Sequence, residues 1–365
     1  MKILFFEPSG WIYDTTTPLK APLGGTQSAV AYLSAALVRA GAGVMVVNGV
    51  PQPIVSDGVH FVGDCSTELL NGFDIVVVVS AAAGSRLRAI GCRTPMVLWC
   101  HHAADQHELR GLADEVRSDC YVGYAMVSDW QAQEYQAKFG IDPGRMRILR
   151  NAASPAFLGR RCTARWLSEG APPVLAYTST PYRGLDVLLL AFPAIRERLP
   201  GARLRVYSSM GIYQSNTEAD KFEALYDACR ALPGAEYIGP LPQPALAQAL
   251  TEADILAYPS TFAETACISA MEAMALGCAV ITTRLGALPE TMAGFGYLID
   301  VGGRSWTIPS LASFYADEFV RIAEARGAAP VETLRRLAAG AAFANGAYSW
   351  SARSTEWTDW LRKLI

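Results

Sequence analysis

Two glutamates eight residues apart mark the most chemically informative stretch of this sequence. Glu264 and Glu272 lie in PSTFAETACISAMEAMALGCAVITT, running from Pro259 to Thr283. The apolar run that ends at Tyr258 predicts a strand. The segment closing at Leu276 predicts a helix that begins near Thr265 to Cys267. A helix start presents backbone N–H groups without intrahelical partners, a natural seat for a diphosphate. Thr265, Ala266 and Cys267 are small enough to let a phosphate approach. At about 1.5 Å of rise per residue, Glu272 lies about 7 Å along the axis from Cys267, similar to the separation of a diphosphate from its ribose. One carboxylate is then placed to accept from ribose hydroxyls, while Glu264, ahead of the helix, faces a sugar beyond the phosphates. Surface helix charges are the plain alternative for a lone glutamate pair.

Three smaller features could serve the same chemistry. Gly24-Gly25 precedes a helix expected from Thr26 to Arg39. Such a loop lets backbone amides approach a phosphate, or is an ordinary strand-to-helix turn. His101-His102 ends an apolar strand, where α/β proteins hold ligands. One of the two is expected to act, with a satisfied structural histidine as the alternative for either. Arg183-Gly184, in YTSTPYRGLDVLLLAF, offers a cation at a helix entry, or a surface charge. No Gly-x-Gly-x-x-Gly follows the first strand and no P-loop is present, which argues against an NAD enzyme or a kinase. There is no Asp-x-Asp pair and no zinc pattern around His101, His102 and His107, so neither metal nor cofactor is expected.

These residues need a scaffold, and the chain supplies a strand–helix rhythm almost throughout. Strands are expected at Ile3–Glu7, Val44–Asn48, Asp74–Ser80, Pro95–His101, Tyr121–Val127 and Met146–Leu149. Their near-continuous Val, Ile and Leu is the mark of buried parallel strands. Residues 151–173, NAASPAFLGRRCTARWLSEGAPP, break the rhythm and are read as the domain boundary. The rhythm restarts with strands at Val174–Thr178, Leu204–Ser208, Glu236–Ile238, Ile255–Tyr258 and Ala279–Thr282. Helices between them are expected at Gly184–Arg198, Ala219–Ala231, Pro244–Leu250 and Cys267–Leu276. The last segment, SWSARSTEWTDWLRKLI, reads as an amphipathic helix. Two doubly wound domains facing each other would enclose an interdomain cleft, with ligands beyond the carboxyl ends of the strands.

In this context Glu264 and Glu272 resemble the Glu-x7-Glu arrangement of retaining glycosyltransferases with the GT-B fold, particularly the large family four (group 1). The surrounding sequence is similar too: Ala-Asp-Ile-Leu-Ala-Tyr-Pro-Ser before the first glutamate, then Glu-Ala-Met-Ala-Leu-Gly, an apolar strand, and Gly286 followed by Pro289-Glu290. The resemblance implies two Rossmann-like domains: an acceptor domain over residues 1–152 and a nucleotide-sugar domain over 153–345. A terminal helix over 346–365 would cross back to the first domain, anchored by Trp350, Trp357 and Trp360. It further implies that Glu272 binds the nucleotide ribose and Glu264 contacts the donor sugar. The amides of Thr265, Ala266 and Cys267 would meet sugar and diphosphate, Gly24 and Gly25 the phosphates, and Gly239, in the Tyr237–Leu241 turn, the base. His101 or His102 would contact the donor sugar or face the acceptor. The family pattern also has an arginine five residues before a Lys-Gly. Arg183-Gly184 matches the second position, but Thr178 stands where the arginine is expected, leaving Arg183 as the main cation for the diphosphate.

The implied reaction moves a sugar, with retention, from a UDP- or GDP-sugar to a hydroxyl of a glycan, lipid-linked or small-molecule acceptor. The alternatives are a nucleotide-sugar epimerase, a phosphorylase-like enzyme, or an inactive sugar-nucleotide binding subunit. Composition agrees with a small-molecule enzyme. The 365 residues hold 31 Lys+Arg against 34 Asp+Glu, which argues against nucleic acid as the main partner. Eight cysteines without Cys-x-x-Cys spacing read as buried thiols in a reducing compartment. The opening MKILFFEPSG is read as a first strand, interrupted by Glu7-Pro8, and no apolar run is membrane-sized. A cytoplasmic protein is expected. Arg86, Arg88 and Arg93 either form a peripheral contact with the inner membrane face or are ordinary solvated charges.

Overall fold

The computed structural model describes residues 1–213 and 221–365. It divides into two compact units, one of Met1–Ala152 together with Trp350–Ile365, the other of Ala153–Ser349. Each is built around one sheet.

The first unit holds eight strands: β1 (Lys2–Phe6), β2 (Gly43–Val47), β3 (Ile54–Ser56), β4 (Val59–Val62), β5 (Ile75–Val79), β6 (Met96–Cys100), β7 (Gly123–Met126) and β8 (Met146–Ile148). Their order across the sheet is β3-β4-β2-β1-β5-β6-β7-β8. All neighbours are parallel except β3 and β4. That hairpin was not expected, although its turn is written in the sequence. Asp57 and Gly58 both take positive φ, 49° and 76°, as the two-residue Asp-Gly turn of a hairpin demands. The central strands β5 and β6 are buried at every position, which is why they carry IVVVV and MVLWC without alternation.

The second unit holds β9 (Val174–Tyr177), β10 (Arg203–Val206), β11 (Ala235–Tyr237), β12 (Ile255–Tyr258), β13 (Ala279–Thr283) and β14 (Tyr297–Ile299). All are parallel, in the order β11-β10-β9-β12-β13-β14. The chain winds outward from β9 in one direction and from β12 in the other. The crevice beyond the carboxyl ends of β9 and β12 is therefore the topological switch point, where such sheets bind ligands. The expected strands are observed to within a residue or two at their ends, and β14 was not expected. The expected onset of a helix at Ala219 lies outside the described residues, and within them that helix runs Glu223–Ala231. Two long helices that the sequence reading left unassigned follow β14, at Ile308–Gly327 and Pro330–Ala347. The first opens on a reciprocal cap between Thr307 and Ser310.

The terminal helix, Trp350–Leu361, belongs to the first unit. Trp357 is fully buried, with its ring centroid 5.1 Å from that of Trp99 and 6.4 Å from that of Phe5. Trp350 packs 6.2 Å from Tyr32 on the helix Gly25–Arg39. Gly123 leaves room for Trp360, since a Cβ there would lie 2.9 Å from the indole. Aromatic area of this size dominates local packing. Trp357→Ala should therefore cost about 3–5 kcal/mol, measured as a fall in the urea midpoint at unchanged slope. A loss below about 1 kcal/mol would show that the helix is not anchored there.

Candidate functional site

The switch point of the second unit is built by two loops, one leaving β9 and one leaving β12. Gly184 ends the short turn Pro181–Arg183 with φ of +100°, and a Cβ there would lie 2.0 Å from the carbonyl oxygen of Pro259. Only glycine permits that approach of the two loops. On the other side, Gly286 (φ +57°) would carry its Cβ 2.6 Å from both the amide nitrogen and the carbonyl oxygen of Glu264. The Ala287 amide donates to that same carbonyl at 2.7 Å. Two threonines of β13 pin the rest: Thr282 Oγ1 donates to the Tyr258 carbonyl and Thr283 Oγ1 to the Ser260 carbonyl, each at 2.7 Å. Backbone and side chain together thus fix the path from β12 to the helix Ile268–Leu276, which starts one residue later than expected, with Cys267 as its cap.

Within this frame Glu264 is buried and bonded from two sides. Arg183 Nη1 donates to Oε1 at 2.7 Å and to Oε2 at 2.6 Å. The Tyr258 hydroxyl donates to Oε1 as well. Burial, and then the Glu264 charge, push the Tyr258 phenol well above its ordinary range, so it remains a donor. Burial works against the Arg183 charge, but Glu264 and the surrounding tyrosines outweigh it and hold the guanidinium well above its ordinary value. The guanidinium also lies 4.6 Å from the ring centroid of Phe262 and 5.4 Å from that of Tyr182. Tyr258 was missed by the sequence reading; its signal is a tyrosine closing a buried strand six residues before the glutamate.

The helix start lies against β9. Ser269 Oγ donates to the Thr178 carbonyl at 2.9 Å, so the position where the family's arginine is expected sits beside the first turn of the helix. The Thr178 hydroxyl is buried without a hydrogen-bond partner among the described residues. Burial pushes the Cys267 thiol far above its ordinary range, so it is no thiolate nucleophile. Glu272 is buried one turn on, accepting at Oε1 from the Ser154 amide at 3.2 Å. Burial raises its carboxyl to about 8, against the downward pull of that amide. Gly239 follows β11 with φ +82°, in a turn held by Ile238 N–H to the Val206 carbonyl at 2.9 Å.

The other sequence-predicted residues belong to the first unit. Gly24 caps the helix Gly25–Arg39, and a Cβ on it would meet Gln27 Oε1 at 2.9 Å and the Trp11 ring at 3.1 Å. Beneath this turn, at the carboxyl end of β1, Glu7 is buried and accepts from the Ser9 amide (3.1 Å) and hydroxyl (2.7 Å). His101 has both ring nitrogens engaged: Nδ1 with Ser80 Oγ at 3.2 Å and Nε2 with Asn151 Oδ1 at 3.1 Å. With the amide carbonyl as acceptor, Nε2 carries the proton and the Ser80 hydroxyl donates to Nδ1. Desolvation, and then His102, lower this imidazole to about 3, so it is neutral at neutral pH. His102 has its main-chain carbonyl held by Gln131 Nε2 (2.9 Å) and the Tyr135 hydroxyl (3.0 Å), and its Nδ1 lies 3.9 Å from Glu108 Oε2. Of the three clustered arginines, Arg86 and Arg93 are exposed and Arg88 is half-buried. Arg88 bonds the carbonyls of Cys92, Thr94 and Cys120, which makes it a clamp inside the fold instead of a surface contact. Arg86 lies 5.2 Å from the Phe6 ring centroid.

The raised carboxyl of Glu272 has a consequence for stability. Its folded value of about 8 exceeds the ordinary 4.5, so between these pH values the folded chain holds a proton that the unfolded chain has lost. Stability from this group is full below about pH 4.5, falls as pH rises to about 8, and levels off above. Glu272→Gln should flatten that slope, read as melting temperature from pH 5 to 8.5. An unchanged slope would show that the carboxyl ionises in place without cost.

The chain is similar to known proteins in sequence and in fold. Residues 172–306 match the family model described as glycosyl transferases group 1. The chain is 27% identical over 228 residues to a D-inositol 3-phosphate glycosyltransferase of Corynebacterium glutamicum, covering 60% of this chain and 54% of the relative. The enzyme of that name from Actinosynnema mirum is 30% identical over 243 residues, covering 63% and 54%. The chain thus spans about half the length of the curated relatives it matches. Among solved structures, sucrose-phosphate synthase from Thermosynechococcus elongatus superposes with a TM-score of 0.74 at 15% identity, over 100% of this chain and 98% of the other. Anabaena HepE in complex with UDP-glucose gives 0.69 at 16% identity, over the whole of both chains. Residues 172–306 are thus similar to the group 1 glycosyl transferases, and the two parallel sheets match the fold of GT-B glycosyltransferase structures.

Proposed function

We propose that the protein transfers a sugar from a nucleoside-diphosphate sugar to an acceptor hydroxyl with retention at the anomeric carbon. The observation that carries this reading is the fixed Arg183–Glu264 pair at the β9/β12 switch point, beside a helix start that suits an anionic diphosphate. UDP-sugars are the first candidates, because Anabaena HepE is described with UDP and with UDP-glucose, and GDP-sugars follow. For the acceptor, the curated relatives are named for D-inositol 3-phosphate, so a small polyol phosphate joins glycan and lipid-linked hydroxyls as a class to test.

In this reading the bond between the anomeric carbon and the distal phosphate oxygen breaks. The acceptor oxygen forms its bond on the same face, and its proton passes to the departing diphosphate. Arg183 and the amides at Thr265, Ala266 and Cys267 stabilise the charge that develops on the leaving group. Glu264 orients the donor sugar and does not form a covalent intermediate. Glu272 accepts from the ribose, and Gly239 borders the base. Gly24, Gly25 and His102 act from the first unit, with His101 as a neutral hydrogen-bonding group. The charge stabilisation is proposed to need no metal. No described helix is long and apolar enough to cross a membrane.

The test is thermal stabilisation by UDP, GDP, ADP and their sugar conjugates without metal, followed by nucleotide release with and without acceptors. One nucleotide should protect the parent by about 2.7 kcal/mol at a hundredfold excess over Kd, and should protect Glu272→Ala far less. Free nucleotide should appear only when an acceptor is added, and Glu264→Gln should lower turnover by about a hundredfold or more. If no nucleotide protects the parent, with or without magnesium, the reading is wrong. Release without acceptor would point instead to the epimerase alternative or to hydrolysis.

A further inference from the structure

The Arg183 guanidinium does not stand at the switch point as an isolated positive charge. A single nitrogen, Nη1, reaches both oxygens of a buried carboxylate, at 2.7 and 2.6 Å, and Nε lies 3.3 Å from the Tyr182 hydroxyl. Glu264 is 3% exposed and the Arg183 side chain 23%, so the carboxylate is little screened by water, and the guanidinium beside it offsets its charge. The backbone packs closely on both sides of the pair, since a Cβ on Gly184 would lie 2.0 Å from the Pro259 carbonyl oxygen and one on Gly286 2.6 Å from the Glu264 peptide. A third group, the Tyr258 hydroxyl, bonds the same carboxylate from beneath and is itself within 3.4 Å of Ser179 Oγ.

We propose that Glu264 competes internally with the donor diphosphate for Arg183, so that diphosphate binding draws the guanidinium away and releases a carboxylate that Tyr258 keeps in place. This rests on the nucleotide-sugar reading and adds a regulation of that same site. An incoming diphosphate meets repulsion from Glu264 and a cation already engaged. When it takes the guanidinium, Glu264 would lie buried without a partner but for the Tyr258 hydroxyl, so the phenol makes the exchange possible. Tyr258 is a positioning residue here: it acts on the substrate only through Glu264.

The competition separates this role from a merely structural one, because two variants of one hydrogen-bonded network must move affinity in opposite directions. The probes are UDP, GDP and ADP, titrated calorimetrically into the parent, Glu264→Gln and Tyr258→Phe, with melting temperatures as the check on folding. For the nucleotide that the parent binds, Glu264→Gln should lower Kd about tenfold or more, since a charge-assisted competitor is removed. Its Kd should also depend more steeply on salt than the parent's, because Arg183 is no longer neutralised. Tyr258→Phe should raise Kd about two- to tenfold, since the carboxylate then has only Arg183 to hold it. The matching nucleoside, without phosphates, should bind all three alike. If both variants weaken binding, or Glu264→Gln leaves Kd and salt dependence unchanged, the competition is refuted while the nucleotide site stands. Should Glu264→Gln fail to fold, the direction of the Tyr258→Phe effect decides alone, and tighter binding would overturn the proposal. If none of the three nucleotides binds the parent, the nucleotide-sugar reading fails, and the competition with it.

Discussion

Where the loops leaving β9 and β12 meet, backbone crowding and charge pairing enforce one another. Gly184 against the Pro259 carbonyl and Gly286 against the Glu264 peptide leave no room for a side chain at either point. Arg183 immediately precedes Gly184, and its guanidinium meets Glu264 at 2.6 Å. The parallel sheet order supplies the place: strands wind away from β9 and β12 in opposite directions, so the loops leaving these two strands flank the topological switch point. The helix Ile268–Leu276 then begins at the crevice and not elsewhere, because Ser269 ties its first turn to the end of β9. An ionic centre of this kind adds little net stability, as burial of the Glu264 charge offsets much of the attraction. Its value lies in where it puts charge.

The first unit uses a different device. Its strand ends carry polar groups that already have partners: the neutral His101 between Ser80 and Asn151, and Glu7, whose carboxyl burial raises, with Ser9. A neutral histidine with both ring nitrogens engaged ties the end of β6 to Ser80 and Asn151 without adding charge. Trp99, one strand position before Cys100, links this region to the buried Trp357, so the terminal helix supports the strand that presents His101. The unit is therefore completed by the last residues of the described chain, far in sequence from the strands that they cover.

Much of this architecture was legible in the sequence, for reasons that also explain what was not. Buried parallel strands announce themselves as apolar runs, and β5, β6, β12 and β13 fall where those runs are. The β3–β4 hairpin has short, half-exposed strands and only its Asp57-Gly58 turn as a signal. Glu264 and Glu272 stood out by spacing and context, but their environments did not. Glu272 accepts from an amide 118 residues away, and no local pattern reports that. Tyr258 looks like one more strand residue until the backbone turns Glu264 back over it. Arg88 reads as a surface charge because its three carbonyl partners come from separate turns that only the fold assembles.

The most direct test of the account is a crystal structure of the protein with a bound nucleoside diphosphate, UDP first. The account predicts the diphosphate at the start of the helix Ile268–Leu276, within hydrogen-bond reach of Arg183 and of the amides at Thr265 to Cys267, with the ribose at Glu272. A nucleotide seated elsewhere, with Arg183 and Glu264 still paired and their loops untouched, would contradict it.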